Sequence, residues 1–549
     1  MALMTKLRLG SILGATLIVV SPAVPLPGPT GALSPSNVVA VAAEVGLPLG
    51  PAGLAEDRTT TTLQPGVTLT TIVRGAVDPS QFWTVEVLIP AGTSSPDPDA
   101  PPASLSDRAS ADVLADRTRP AGFDPRVELV TTPATADYSG GSLGWRVRVG
   151  HLATRVEADA LRAQLVAAGF GGSTRFTGWD GVATARGPWR IRLLSIDPDR
   201  FRGSLVASYG PDLEARETTS ALSLATGATA AVNGGYFVLD PASGAPGDPA
   251  GVGVYDGKLL SETVDRRPAL VLRDNARRTQ VERLTWSGSA RSQHGVQLQL
   301  DGIDRVPGLV RNCGGTADDL PTAEALHDFT CTDPDELVAF TSDYARNTPT
   351  GPGLEAVLDR RDRVVSLRSP RGGPLLQGYR TIQATGALVA QLERAAVPGE
   401  RLRISTGLRA AGRPVLQRGA VSSVVNGGPE LVRNGRVHVT PRTDGFVRPT
   451  NPSFYYGFSD SRNPRTFAGV DARGRTLLAT ADGRSTESLG LSIPETGAVA
   501  QALGMRNALN LDGGGSTTMV VRGQVVNLPS DATGERPVGD ALLVVPRRR

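Results

Sequence analysis

The segment Asn510-Leu-Asp-Gly-Gly-Gly-Ser-Thr-Thr518 decides how the C-terminal part of the chain is interpreted. It follows an apolar stretch at residues 508–511 and precedes a predicted strand at residues 519–521. Three consecutive glycines leave no side-chain bulk beside Asp512, so their backbone amides can approach an anionic ligand closely. An Asp-Gly pair also suits a tight hairpin turn, but a hairpin does not need three glycines. We therefore predict a ligand site in this segment.

Motifs of other site types do not fit this segment. No Gly-Lys-Ser/Thr follows the glycines, and the spacing is not that of a dinucleotide fingerprint. Ser516 has neither a nearby histidine nor a Gly-x-Ser-x-Gly elbow, so we expect it to donate a hydrogen bond to substrate rather than to act as a nucleophile. The histidines are scattered without metal-ligand spacing, so each is predicted to be structural, and no metal and no cofactor are expected. They are His151, His294, His327 and His438.

The N-terminus predicts export. Lys6 and Arg8 precede an apolar run at residues 9–20, which has the length of a signal peptide and is shorter than a membrane span. Residues 1–42 are assigned to a signal peptide and lead-in, with cleavage after Ala23 or Ala42, and an uncleaved anchor is the alternative. Residues 43–81 are predicted to be a flexible segment, because the region is rich in Pro, Gly, Ala and Thr. We expect a secreted or envelope protein without a later membrane span.

A diverged repeat organises residues 82–178. The stretch RASADVLADRTRPAGF at 108–123 aligns with RVEADALRAQLVAAGF at 155–170. Each copy predicts a strand, a helix and a strand, with Asp107 capping the first helix, and Thr154 and Glu157 forming a capping box on the second. A Pro/Asp/Ser-rich insertion at residues 91–105 is predicted to be a surface loop. Two such copies form one small α+β domain with the order βαββαβ.

Residues 187–549 predict a second, larger α+β domain. Strand and helix signals alternate there without a regular βαβ period, which indicates a mixed or mostly antiparallel sheet. A helix from Thr219 to Gly227 feeds a small-residue strand that ends at Asn233. Cys313 and Cys331 are the only cysteines and are predicted to form one disulfide. The net charge of +3 is nearly balanced, so we expect no nucleic-acid partner.

The small domain resembles a known module. The strand Trp145-Arg-Val-Arg-Val-Gly150 and the helical stretch Glu157-Ala-Asp-Ala-Leu161 are similar to the SPOR domain, a duplicated βαββαβ unit whose members bind peptidoglycan glycan strands. The resemblance implies peptidoglycan glycan strands as a partner. The alternative is a packing domain that binds nothing.

The large domain resembles the phosphodiester glycosidase family, whose members cleave N-acetylglucosamine-1-phosphodiesters at the glycosidic bond. The resemblance rests on several segments that occur in the family's order together with residues 510–518. They are Asn233-Gly-Gly-Tyr-Phe237, Arg462-Asn-Pro-Arg-Thr-Phe-Ala-Gly-Val470, Leu478-Ala-Thr-Ala-Asp-Gly-Arg484, Leu528-Pro-Ser-Asp531 and Arg536-Pro-Val-Gly-Asp-Ala-Leu542. The family's pattern assigns no catalytic role to Glu430.

The resemblance gives each motif residue an expected role. A sugar phosphodiester is anionic, and Arg465 is the predicted phosphate ligand because a guanidinium binds phosphate oxygens through two parallel hydrogen bonds. Asp512 is the first predicted catalytic carboxylate and Asp482 the second, because an oxocarbenium-like transition state requires a nearby carboxylate. The predicted substrate-binding residues are Asn233, Gly234, Gly235, Tyr236, Asn510, Gly513, Gly514, Gly515, Ser516 and Thr517.

The sequence thus predicts an exported hydrolase that cleaves a sugar-1-phosphodiester, with the linkage units of cell-wall polymers as a candidate substrate. Two alternatives stay open at this stage. One is a non-catalytic envelope protein that binds glycan, and the other is a phosphodiesterase that cuts the P–O bond.

Overall fold

A computed structural model describes residues 46–89, 103–273, 277–416 and 421–547. The predicted signal peptide at residues 1–42 and most of the predicted loop at 91–105 lie outside the described residues. Gly46–Arg549 form one compact unit. Within the described part of the chain, no helix is long and apolar enough to cross a membrane.

The N-terminal part is built from short strands and two helices. In chain order its elements are β1 (Glu56–Gln64), β2 (Val67–Arg74), β3 (Trp83–Val87), α1 (Arg108–Thr118), β4 (Pro125–Thr132), β5 (Gly141–Leu152), α2 (Arg155–Ala167) and β6 (Gly172–Phe176).

The middle part consists mostly of strands. Its elements are β7 (Trp189–Ile196), β8 (Gly203–Ser208), α3 (Thr219–Thr226), β9 (Ala230–Asn233), β10 (Gly253–Tyr255), β11 (Lys258–Ser261), β12 (Pro268–Arg273), β13 (Arg278–Ser292), β14 (Gln297–Gln299), β15 (Gly302–Ile303), β16 (Leu309–Cys313), β17 (Ala325–Thr332), β18 (Leu337–Phe340), β19 (Asn347–Gly351), β20 (Leu354–Leu358), β21 (Val364–Arg368), β22 (Arg371–Pro374), β23 (Arg380–Ala384), α4 (Val389–Ala395), β24 (Leu402–Ala410) and β25 (Arg413–Pro414).

The C-terminal part completes the sheets. Its elements are β26 (Val421–Asn426), β27 (Glu430–Arg433), β28 (Arg436–Val437), α5 (Pro452–Tyr455), β29 (Arg465–Asp471), β30 (Thr476–Ala481), α6 (Ile493–Ala502), β31 (Met505–Asn510), β32 (Met519–Val521), β33 (Gln524–Val525) and β34 (Ala541–Pro546).

The predicted small domain is confirmed as a βαββαβ unit with the sheet order β4-β5-β3-β6. Both predicted caps are present: the Asp107 side chain accepts from the Ser110 amide, and Thr154 and Glu157 form the capping box. One sheet face packs its valines against α1 and α2. The small duplicated domain and the large, mainly antiparallel α+β part agree with the predicted fold class.

The expected flexible segment at residues 43–81 is corrected by the structure. β1 and β2 form a hairpin, and β2 pairs antiparallel with β7 from Val67 opposite Ile196 to Arg74 opposite Trp189. The hairpin extends the edge of the sheet β1-β2-β7-β30-β29-β31-β27-β28, which we call the central sheet. The threonines of this segment favour a strand because β-branched side chains suit an extended backbone once a partner strand is available.

Three sheets meet around the core and bring the motif segments together. The central sheet packs against the strands β11-β10-β26-β12-β13-β24-β25 and against a smaller sheet of order β33-β32-β9-β34-β8. Their apolar residues form one cluster that includes Leu194, Leu270 and Leu509. The chain passes from β31 in the central sheet to β32 in the smaller sheet through residues 511–518. The glycine motif therefore bridges two sheets.

Candidate active site

A cavity of about 520 Å³ opens where the motif segments meet. It is lined by residues from the ends of β9, β29, β30 and β31, from the β16–β17 hairpin and from the turn after α5. The lining residues used below are Tyr236, Asn312, His327, Asp328, Phe454, Phe458, Asn463, Arg465, Arg484, Asp512, Gly513, Gly514, Gly515 and Arg536.

Asp512 is a half-buried carboxylate at the cavity wall. It follows the end of β31, and one of its carboxylate oxygens accepts the Gly513 amide at 2.8 Å. Desolvation raises the pKa of the Asp512 carboxyl to about 6, although the Ser516 hydroxyl, Arg536 and the Gly513 amide act in the opposite direction. Asp512 is therefore an anion near neutral pH and becomes protonated only in mild acid.

Arg465 supplies a buried positive charge whose hydrogen bonds go to backbone carbonyls. It is the first residue of β29 and only 1% exposed. Its guanidinium donates to the backbone carbonyls of Leu491 at 2.9 Å, of Phe458 and of Ser461 at 3.5 Å. Among the described residues, none of the carboxylates forms an ion pair with it. Burial, followed by the charge of Arg484, lowers the pKa of Arg465 to about 9.

Two further arginines face the same cavity. Arg484 is exposed, and its Nε donates to the Asn463 side chain at 3.0 Å. Arg536 pairs with Asp531 at 2.8 Å. A Cβ on Gly515 would lie 2.1 Å from the Arg536 guanidinium and 2.2 Å from the Asp531 carboxylate, so a larger residue here would displace this ion pair. The glycine run thus lets Arg536 and its carboxylate partner approach the motif backbone closely.

Three cavity residues other than glycine have left-handed backbone conformations. The φ angles are 55° at Arg484, 68° at Asn312 and 57° at Asp328. Asn and Asp tolerate this region, whereas for a long side chain such as arginine it is unfavourable. Strained backbone of this kind concentrates at functional sites.

The cavity floor is aromatic and includes His327. The His327 ring lies 4.2 Å from Tyr236, 4.3 Å from Phe446 and 4.8 Å from Phe458, measured between ring centroids. Its Nδ1 lies 3.2 Å from the Arg267 guanidinium, which can only donate, so the ring is neutral with its proton on Nε2. Burial and the surrounding arginines lower the pKa of His327. Sequence reasoning missed this residue because no motif surrounds it.

Some predicted substrate-binding residues lie beneath the cavity rather than in its wall. The Asn233 side chain donates to the Asp512 carbonyl at 2.7 Å and accepts from Thr466 at 2.6 Å. Asn510 donates to the Tyr236 hydroxyl at 2.8 Å. These contacts hold the backbone of the motif in place. Four other predicted substrate-binding residues do not line the cavity either: Gly234, Gly235, Ser516 and Thr517.

Asp482 is not in the cavity, which corrects the expected second carboxylate. Its side chain is fully buried and pairs with Arg192 at 2.6 Å. Its other oxygen accepts the Leu528 amide at 3.0 Å. An Asp-Gly pair at a strand end looks the same in sequence at residues 482 and 512, but only the second opens onto the cavity. Asp328, which pairs with Arg311, and Asp240 are the carboxylates that line the cavity together with Asp512.

The β16–β17 hairpin forms one wall of the cavity. The predicted disulfide between Cys313 and Cys331 is present and joins its two strands. The hairpin contributes Asn312, His327 and Asp328 to the cavity. None of the motif segments that carry the family resemblance lies in this hairpin, yet it forms part of the cavity wall.

Two family models match the chain. The model described as phosphodiester glycosidase matches residues 354–545, and the SPOR domain model matches residues 103–175. The first range contains Arg465, Arg484, Asp512 and Arg536, whereas Tyr236 and His327 precede it.

Several known proteins are similar to the chain. A protein of Burkholderia pseudomallei K96243 of known crystal structure is 35% identical with a TM-score of 0.82, and the match covers 91% of this chain and 98% of that one. A hypothetical protein from Synechocystis is 15% identical with a TM-score of 0.52 over 91% of this chain and 81% of that one, which shows the fold alone. The mouse (Mus musculus) N-acetylglucosamine-1-phosphodiester alpha-N-acetylglucosaminidase is 34% identical over 102 residues, or 18% of this chain and 20% of that protein. The chain thus spans about a fifth of the curated relative it matches.

Proposed function

We propose that the chain hydrolyses a sugar-1-phosphodiester at the glycosidic bond, because residues 354–545 match the phosphodiester glycosidase family model and a SPOR domain precedes that range. The observation that supports this most is that one cavity holds a half-buried carboxylate, Asp512, and an arginine, Arg465, that forms no ion pair within the described ranges. An N-acetylglucosamine-1-phosphodiester is the substrate type, as in the name of the mouse relative.

The arginines and the carboxylate contact different parts of the substrate. Arg465 and Arg484 bind the phosphate, because guanidinium groups match phosphate oxygens in charge and geometry. Asp512 lies against the sugar and stabilises the positive charge that develops at the anomeric carbon. The aromatic floor around His327 and Phe458 packs against the sugar ring.

The reaction balances without a cofactor. Water attacks the anomeric carbon, and the bond between that carbon and the bridging oxygen breaks. The phosphate monoester leaves with the bonding electrons, and the remaining proton of the water passes to solvent. A phosphate monoester is a weakly basic leaving group, so a strong general acid is not required. Asp482 takes no part and instead anchors Arg192.

The direct test compares two aspartates at the cavity. Purified protein is incubated with an activated sugar-1-phosphodiester, and released sugar is measured for the wild type, Asp512→Asn and Asp240→Asn. Asp240 lies at the exposed rim of the same cavity, so it is the matched control. We expect Asp512→Asn to lose at least about 10³-fold in kcat, because the charge at the anomeric centre is removed, while Asp240→Asn stays near wild type. Equal rates for all three proteins would show that Asp512 is not a catalytic residue.

The SPOR domain is proposed to hold the enzyme on peptidoglycan outside the cytoplasm. The sheet face opposite its helices is not free, because Glu86 and Arg148 on that face contact Tyr456 and Asp180. The open surface is instead a groove of about 700 Å³ beside α2. His151 in this groove stacks on Phe82 at 3.6 Å between ring centroids. A ring platform of this type suits the apolar face of a sugar.

The candidate substrate is the sugar-1-phosphodiester that links wall polymers to peptidoglycan. A protein bound to peptidoglycan through its SPOR domain would be close to this bond, so the effective concentration of the substrate would be high. Co-sedimentation with purified walls tests the anchoring, using His151→Ala in the groove and Arg162→Ala on the exposed face of α2 as the control. We expect about tenfold weaker wall binding for His151→Ala only. Truncation is not a suitable test, because β2 pairs with β7 of the large sheet. If both variants bind walls like the wild type, the groove is not the glycan-binding surface.

A further inference from the structure

The loop that follows β16 brings three aspartates together outside the cavity. Asp318, Asp319 and Asp333 each offer a carboxylate oxygen, and these oxygens all lie within 4.8 Å of one another. Asp318 is exposed, whereas Asp319 and Asp333 are buried. The spacing of these aspartates in the sequence is not that of a metal-binding motif. Asp333 joins the other two only when the β16–β17 hairpin has formed.

Asp333 adds a second observation that points to a cation. It is 1% exposed, and its Oδ1 accepts the Asp335 amide at 2.8 Å. Its Oδ2 is buried without a hydrogen-bond partner. Burial, together with the charges of Glu336, Asp318 and Asp319, raises the pKa of Asp333 to about 6. A buried carboxylate oxygen without a partner costs free energy unless a cation or a donor compensates it.

We propose that Asp318, Asp319 and Asp333 bind one Ca²⁺ ion, with water completing the coordination on the exposed side. Ca²⁺ takes oxygen ligands at about 2.3–2.6 Å, so oxygens on opposite sides of one ion are about 5 Å apart. The observed spacing of at most 4.8 Å lets all three carboxylates contact the same ion. Mg²⁺ fits less well because it keeps most of its waters and is rarely held by a protein carboxylate cage.

The ion would fix the loop that leads into the cavity wall. Leu320 and Thr332 exchange two backbone hydrogen bonds of 2.8 and 2.9 Å, which place Asp319 beside the end of β17. The same hairpin presents His327 and Asp328 to the cavity. Bound Ca²⁺ therefore stabilises the hairpin and the folded chain, and this effect does not depend on any catalytic activity.

The experiment uses the full-length protein stripped of metal with EDTA. Equilibrium dialysis against ⁴⁵Ca²⁺ gives stoichiometry and affinity, and thermal unfolding is followed in EDTA, in CaCl₂ and in MgCl₂. Three variants are compared with wild type. Asp318→Asn changes an exposed ligand and should leave folding intact, and Asp333→Asn changes the buried one. Glu324→Gln removes an exposed charge from the same hairpin and is the matched control.

For the wild type and Glu324→Gln we expect one bound ion with a dissociation constant of about 10⁻⁴–10⁻³ M. Both should melt at a temperature at least about 1 °C higher in excess CaCl₂ than in EDTA, because an ion that binds only the folded state stabilises it. Asp318→Asn and Asp333→Asn should bind at least about tenfold more weakly and show no such rise. The proposal is overturned if the wild type binds no Ca²⁺, if MgCl₂ stabilises it as well as CaCl₂ does, or if both cluster variants bind like the control.

Discussion

Two arginines of this protein are equally buried but have opposite surroundings. Arg148 in the SPOR domain and Arg465 at the cavity are each 1% exposed. Arg148 contacts Glu86 at 3.0 Å and Asp180 at 2.6 Å, and the pKa of Arg148 is raised because these charges outweigh its burial. Arg465 contacts backbone carbonyls, and burial lowers its pKa to about 9.

This difference indicates that Arg148 has a structural role and that Arg465 is available to bind an anionic ligand. Burying an ion costs several kcal/mol unless an opposite charge accompanies it. At Arg148 the chain itself supplies that charge, so the arrangement is complete without a ligand. At Arg465 the counter-charge is missing from the described part of the chain, and an anionic substrate is the group that would supply it. Arg148 and Arg465 therefore form a matched pair for mutation.

Removing the paired arginine should affect stability most. Arg148→Gln leaves Glu86 and Asp180 buried without their partner, so the free energy of unfolding should fall by about 3–5 kcal/mol. Chemical denaturation of the full chain measures this, with Arg155→Gln on the exposed face of α2 as the control. Because Arg155 contacts Asp159 only at 3.5 Å on the surface, its change should cost less than about 1 kcal/mol. A similar loss for the two variants would contradict the structural role of Arg148.

Changing the unpaired arginine should affect activity instead. Arg465→Lys keeps the charge but loses the planar fork that binds two phosphate oxygens. We expect kcat/KM to fall by about 10²-fold or more, in line with the loss of one charged donor in an active site. Steady-state kinetics on a sugar-1-phosphodiester checks this, and circular dichroism confirms the fold. Full activity in Arg465→Lys would show that the cavity does not use Arg465 for phosphate.

The pH profile should report both cavity groups. The pKa of Asp512 is raised to about 6, so its ionised form is lost below that pH, and kcat/KM should fall about tenfold for each further pH unit. The same shift means that ionising Asp512 costs stability as the pH rises from its unfolded value near 3.8 to about 6. The pKa of Arg465 is lowered to about 9, so substrate binding should weaken above pH 9. A flat profile between pH 4 and pH 7 would exclude Asp512 as the essential carboxylate.

Local sequence signals predicted the SPOR-like unit well. Its caps at Asp107 and Thr154 depend on residues three positions away, and such short-range hydrogen bonds are visible in sequence. The helix that begins after Ser492 has the same kind of local signal, a capping box formed by Ser492 and Glu495. The disulfide followed from the presence of only two cysteines.

Long-range contacts explain what the sequence did not predict. The β1–β2 hairpin was not predicted because its strands depend on pairing with β7, and no local sequence pattern indicates that partner. Asp482 and Asp512 have the same local sequence, Asp followed by Gly. They differ in a long-range contact, because Asp482 forms a buried ion pair with Arg192. His327 reaches the cavity because the β16–β17 hairpin lies against the motif segments, so its position depends on the tertiary fold.

The most direct test of the central claim is which bond the enzyme breaks. A sugar-1-phosphodiester is hydrolysed in water enriched in oxygen-18, and mass spectrometry locates the label in the two products. Attack at the anomeric carbon, as the proposed role of Asp512 requires, places the label on the released sugar and leaves the phosphate monoester unlabelled. Label on the phosphate instead would show that the P–O bond is cut, and it would contradict the proposed glycosidase.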